Sequence, residues 1–253
     1  MSLVLWSILI ILAVIIPAIL DRKREYVLPF PKKYREILKK YFTYYIALTP
    51  KERVQFERRV MQFMRMKKFI PRQMKEVSIE MKILISACAI QLTFGLPRVY
   101  LRHFNKILVY PDNYYSTINQ TYHKGEVNPR YGIIVLSWKA FIKGYIDKEG
   151  INLGLHEMAH ALHLENRIME DESYFDRDTL KLWKYLAHHE IEKIRSSKSS
   201  FFREYAAVDE HELFAVAVEN FFERPTEFKA KLPELYGVMV KLLNQDMSNE
   251  HLS

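Results

Sequence analysis

The sequence predicts an α+β fold that is mostly helical, with a small sheet and one membrane-spanning helix at the N-terminus. Three observations carry this. Several stretches of about 10–20 residues place apolar side chains at helical spacing. Only two short runs, Lys106–Pro111 and Tyr131–Trp138, have strand character. The run from Leu3 to Leu20 carries no charge.

That run comes first along the chain. At about 1.5 Å per residue it reaches roughly 27 Å, close to the hydrocarbon thickness of a bilayer. A cleaved signal peptide is the rival reading, but it normally begins with basic residues and ends at a small-x-small site. Here no Lys or Arg precedes the run, and its exit reads Pro17-Ala18-Ile19-Leu20-Asp21. We therefore read residues 1–21 as an uncleaved transmembrane anchor. Arg22, Lys23 and Arg24 follow at once, which puts the rest of the chain on the cytoplasmic side of the inner membrane.

Residues 22–95 read as a basic helical region. Between Asp21 and Glu76 there are 17 Lys and Arg against 6 Asp and Glu, while the whole chain is only +8. The basicity thus abuts the anchor, and anionic lipid is a simpler partner than nucleic acid, which is not expected; a solvated helix face is the plain alternative. A Pro-punctuated step, Leu28-Pro29-Phe30-Pro31, leads into an aromatic-rich helix over 32–48. The next helix has a clear start, with Thr49 as cap, Pro50 in the first turn and Glu52 three residues after Thr49. Its apolar stripe is Phe56, Val60, Phe63 and Met64. A third helix runs from Ile79 to Thr93 and stops at Gly95. It contains Cys88, the single cysteine, which lies in an apolar run and reads as core.

Residues 96–253 read as the catalytic domain. The two strands come first, joined by a polar stretch, Asp112–Arg130, that reads as a loop or irregular hairpin. Helices follow over 152–165, 178–195, 209–223 and 233–244. Asn152, Asp178 and Asp209 are the candidate caps, and Pro233 the first-turn residue of the last helix. With 253 residues and 49% apolar composition the chain can bury one sizeable core.

The chemistry lies in His156-Glu157-Met158-Ala159-His160. Two histidines four residues apart share one helix face and can bind one cation. Glu157 projects beside the metal, where it can accept a proton from water. The plain alternative is a pair of ordinary helix-face histidines. A zinc site needs a third protein ligand. The downstream candidates are His163, His188, His189, His211, Glu212 and Glu219. His163 lies about two turns from His156, too far for the same tetrahedron, and reads as a neighbour of the site or as surface. His188 and His189 sit in a charged helix and read as solvated. Glu212 is the best candidate, because it opens an apolar helix where an acidic side chain needs a counter-charge. The alternative for Glu212 is helix capping with Asp209, and for Glu219 a buried salt bridge.

These segments together resemble the Mlc titration factor A family of zinc peptidases, bacterial gluzincins whose catalytic domain is similar to that of anthrax lethal factor. The matching residues are Ile107–Pro111, Gly132–Trp138, His156–Leu162, Tyr205-Ala206-Ala207, Glu212–Val216 and Phe221-Phe222, in the family's order. The resemblance implies a zincin-like domain with one zinc per chain, held by His156, His160 and Glu212. It implies Glu157 as general base and Tyr205 as the donor that stabilises the oxyanion, whereas the residues alone favour a core aromatic at 205. The family usually has Asp where this chain has His163, and its founder lacks the anchor. The segment from Glu165 to Ser200 does not match well.

The leading expectation is a peptidase, aminopeptidase-like by resemblance, acting on a peptide or protein. The substrate is expected to lie along the strand ending at Trp138, with Gly132 and the apolar residues after it as one wall. A second reading is a zinc domain that captures a protein partner such as a transcriptional regulator. A third is a membrane-surface scaffold built on the basic region.

Overall fold

The computed structural model describes residues 29–97, 99–116, 121–147, 149–168, 174–196 and 200–248. The expected anchor and Arg22–Arg24 lie outside the described residues. Among those described, no helix is long and apolar enough to cross a membrane. The chain divides after Pro31, and every element named below lies in the unit Lys32–Ser253.

Helices dominate that unit. The expected helix over 32–48 is two, α1 (Lys32–Tyr41) and α2 (Thr43–Ala47). They break at Phe42, which turns inward to pack on Phe56 and Tyr145. α3 (Pro50–Met66) begins with the full reciprocal capping box between Thr49 and Glu52. α4 (Ile79–Thr93) is capped by Ser78, and every residue from Ile83 to Thr93, Cys88 included, is buried. A helix apolar on all sides belongs at the centre of a core. α4 takes that place, packed against both α3 and the later α6 (Leu153–Ile168).

The sheet has four strands in the order β1-β2-β6-β5. β1 (Lys68–Pro71), β2 (Lys106–Tyr110) and β6 (Ile133–Ser137) run parallel, and β5 (Gly125–Asn128) runs antiparallel to β6. β1 was not anticipated; it ends in Pro71, which a sheet tolerates only at an edge. Because β1 pairs with β2, the sheet crosses the division expected at residue 95. The polar stretch after β2 is structured too, with a small ribbon of β3 (Tyr114–Ser116) and β4 (Thr121–His123), then β5.

Two expectations about β6 need correction. Trp138 does not end the strand but opens a further helix, α5 (Trp138–Ile146), whose cap is Ser137. Gly132 is not a substrate wall. It stands at φ +61 with a Cβ position 2.5 Å from the His103 carbonyl oxygen, so only glycine can make this turn into β6.

The remaining elements are α7 (Arg177–Arg195), α8 (Glu210–Glu223), α9 (Pro225–Lys231) and α10 (Pro233–Leu243). Asp176 rather than Asp178 caps α7, accepting from Thr179 N at 2.8 Å. Glu165, fully buried near the end of α6, accepts from the backbone N–H groups of Arg102 and His103 at 2.9 and 3.0 Å. This ties the motif helix to the loop that feeds β2, where Leu101 is held at φ +49.

Candidate metal centre

The site forms where α6 packs on α8. Asn152 starts α6 by accepting from Leu155 N at 3.0 Å, and the helix then carries His156 and His160 on one face. Their Nε2 atoms are 3.1 Å apart. Glu212 comes from the first turn of α8. Its Oε2 is 3.2 Å from His156 Nε2, and its Oε1 is 3.5 Å from His160 Nε2. One donor atom from each of the three residues lies within 4.8 Å of the others, which makes them a group able to hold a metal ion.

The capping alternative for Glu212 does not describe its side chain. Asp209 caps α8, accepting from His211 N and Glu212 N at 2.8 and 2.9 Å, and the Glu212 carboxylate faces the histidines instead. α8 presents a second carboxylate, Glu219, seven residues on, and a third, Glu223, four beyond that. This spacing repeats along one helix face. Glu219 Oε1 meets His156 Nδ1 at 2.5 Å, and Arg203 donates to both Glu219 oxygens at 2.7 and 2.9 Å. Glu223 accepts from Gly150 N and from the Asn152 amide at 2.8 and 2.9 Å, securing the loop that launches α6.

Glu219 therefore is a buried salt bridge, as one reading of the sequence had it, but it does more. A buried ion pair adds little stability over an apolar pair of equal volume. What the geometry leaves for Glu219 is to fix the His156 ring. With Nδ1–H donated to Glu219, Nε2 is the nitrogen that His156 would offer a metal in place of its proton. That atom, His160 Nε2 and the Glu212 carboxylate then turn acceptors toward a common point. Glu212 Oε2 is buried with no hydrogen-bond partner among the described residues, although His156 Nε2 is 3.2 Å away. The two atoms stand at ion-pair distance, and a metal cation would take the place of the proton between them. Soft-to-borderline nitrogen donors with one carboxylate suit a divalent metal.

The three donors also set one another's charge. Burial disfavours charge on His156, but Glu212 and Glu219 outweigh it and lift its pKa to about 10. Burial pushes the Glu212 carboxyl up, but His156 and His160 together overcome that and hold it well below the usual carboxylate range. Glu157, only 5% exposed, is pushed up to about 7, first by burial and then by Glu212 and Glu219, against the opposing pull of His156 and His160. Glu157 and His156 lie in the wall of an open cleft of about 700 Å³, with Gly125, Arg203 and Tyr205 around them.

Tyr205 is not a core aromatic. It is 50% exposed, in a 3-10 turn over Glu204–Ala207, with its ring centroid 6.2 Å from that of His156. Burial and then the nearby Glu212 raise its phenol to about 12. His163, by contrast, is not surface: it is 3% exposed, packed on His211 and Phe214, and burial drives its pKa down to about 3. His188 and His189 are exposed on α7, as expected. Arg203 was not singled out from the sequence; its position two residues before Tyr205 is the nearest thing to a signal.

Comparison with known proteins agrees with this geometry. The family model described as glucose-regulated metallo-peptidase M90 matches residues 19–243. An uncharacterized protein of Synechocystis sp., slr2042, is 27% identical over 231 residues, covering 84% of each chain. The Mlc titration factor A proteins of Escherichia coli O17:K52:H18 and Shigella flexneri serotype 5b are each 28% identical over 223 residues. Each match covers 79% of this chain and 82% of the relative.

Proposed function

The chain belongs to the M90 metallo-peptidase family, and from that premise we propose that it is a zinc peptidase that hydrolyses peptide bonds. The observation that carries this is the convergence of His156, His160 and Glu212, with His156 and a buried carboxylate, Glu157, lining an open cleft. His156, His160 and Glu212 would hold the zinc, with Glu219 and Arg203 fixing the first of them. Zinc bound there supplies Lewis acidity, polarising the scissile carbonyl and making water a stronger acid. Glu157 then takes the proton of the attacking water and passes it to the leaving amine. The Tyr205 hydroxyl donates to the oxygen that gains negative charge.

The substrate does not run along β6 as the sequence suggested. β6 has β2 on one side and β5 on the other, so its backbone groups are already paired. β5 is an edge strand whose first residue, Gly125, lines the cleft, and an extended peptide adding there would pass His156 and Glu157.

The full-length protein, purified without added metal, should contain about one zinc per chain. It should hydrolyse an internally quenched peptide, lose that activity to a chelator and regain it with zinc. Stoichiometric zinc with no cleavage across a varied peptide library would favour the second reading, capture of a regulatory protein. The name shared by several relatives, Mlc titration factor A, supports that second role. Aminoacyl substrates compared with end-blocked peptides would separate aminopeptidase from endopeptidase action.

Tyr205→Phe should lower kcat about a hundredfold, with zinc content and KM little changed, because the lost hydrogen bond forms fully only in the transition state. Near-normal kcat at matched zinc occupancy would take Tyr205 out of the mechanism.

The anchor remains a proposal from the sequence. The run from Leu3 to Leu20 followed by Arg22-Lys23-Arg24 supports a single-pass protein with its catalytic unit in the cytoplasm. A C-terminal phosphatase fusion should be inactive and a fluorescent protein fusion bright. The reverse pattern would overturn the topology.

A further inference from the structure

The wall of the cleft that faces Glu157 is Gly125, the first residue of β5. A Cβ built on Gly125 falls 2.4 Å from Glu157 Oε1, 2.6 Å from its Cδ and 2.7 Å from its Cγ, all far inside van der Waals contact. The backbone does not require glycine here, because Gly125 is not among the residues at positive φ. Glycine is also a poor strand residue in its own right. Space is therefore what it supplies.

The strand cannot back away to make that space for a larger residue. Gly125 pairs with Leu136, and Ser137 N donates to Lys124 O at 2.7 Å, so this end of β5 is pinned to β6. Glu157 in turn sits on α6, which packs on both strands. The overlap has one cheap way out: the carboxylate, at the end of a side chain with rotatable bonds, swings aside. The fold survives that movement, but the carboxylate leaves its place beside His156 in the cleft wall.

We infer that Gly125 is a positioning residue for Glu157, holding open the space in which its carboxylate takes up a working orientation. The inference rests on the reading of Glu157 as general base. It makes residue 125 a control point for turnover that acts through Glu157. A displacement of about 1 Å in a catalytic group costs on the order of a hundredfold in rate.

Two measurements on the full-length protein test it. In the first, Gly125→Ala should keep zinc content and KM and lose about a hundredfold in kcat. Wild-type kcat in Gly125→Ala, with Glu157→Gln inactive, would overturn the inference and leave the base assignment standing. Full turnover in Glu157→Gln would overturn the assignment itself. The second measurement needs no activity. In chelator-treated protein, Gly125→Ala is made in the wild-type and Glu157→Ala backgrounds and the Tm read for each. With the carboxylate gone, the extra methyl has room, and replacing glycine should raise Tm by about 2 °C. With Glu157 present, that gain should vanish or reverse. Equal shifts in the two backgrounds would mean that the side chains do not meet, and the inference fails.

Discussion

Glu157→Gln should retain its zinc and lose about three orders of magnitude in kcat, within the range that a positioned general base contributes. The substitution changes little else. Gln has the shape of Glu, fits the same space beside Gly125, and is not one of the three converging donors. It differs in lacking the negative oxygen that accepts a proton. Glu157 is well placed for this transfer, since its buried carboxyl shares the cleft wall with His156. Steady-state kinetics beside metal analysis on one preparation decides the matter. Turnover within a fewfold of wild type at full zinc would remove Glu157 from the mechanism. Lost zinc would instead make it part of the metal's support.

His160→Ala acts one step earlier, on the metal itself. It removes one of three protein donors, and the remaining pair, His156 and Glu212, sits 3.2 Å apart and can satisfy each other as an ion pair. Residues that merely orient a ligand are worth about 10–100-fold in metal affinity, so removing a ligand should cost at least about a hundredfold. Competition against a chromogenic chelator should show this, and protein dialysed against buffer should carry little zinc. Full occupancy in His160→Ala would sink the proposed centre. Glu219→Gln gives an internal scale: it leaves all three donors in place but weakens the hold on His156 Nδ1, and should fall between wild type and His160→Ala.

Much of the helical frame was legible because its signals are local. The Thr49–Glu52 capping box and the apolar run of α4 each lie within one element, and the structure reproduces both. The short strands were not. β1 has four residues and owes its existence to β2, which follows 35 residues after its last. β5 likewise is defined by pairing with β6, and its own composition reads as loop. α5 was lost inside an apolar run shared with β6, where only Ser137 marks the change from one period to the other.

The same division runs through the site. His156, Glu157 and His160 could be read directly, because the pitch of one helix brings residues four apart onto one face. Glu212 could be nominated but not oriented: its meeting with the histidines depends on how α8 packs on α6, and sequence distance carries no trace of that angle. Arg203 and Gly125 lay beyond reach, and Glu219 could be read as a buried salt bridge but not set against His156. Glu219 meets His156 across 63 residues, and Gly125 meets Glu157 from a strand rather than from its own helix. The sequence by itself determined the metal-binding helix, its adjacent carboxylate and the core helices, all of which follow from the short-range geometry of the chain. The tertiary structure alone decided which acidic face closes the site, what holds His156, where Tyr205 stands and how much room Glu157 has. Those depend on the packing of elements far apart in sequence, which the whole core sets together.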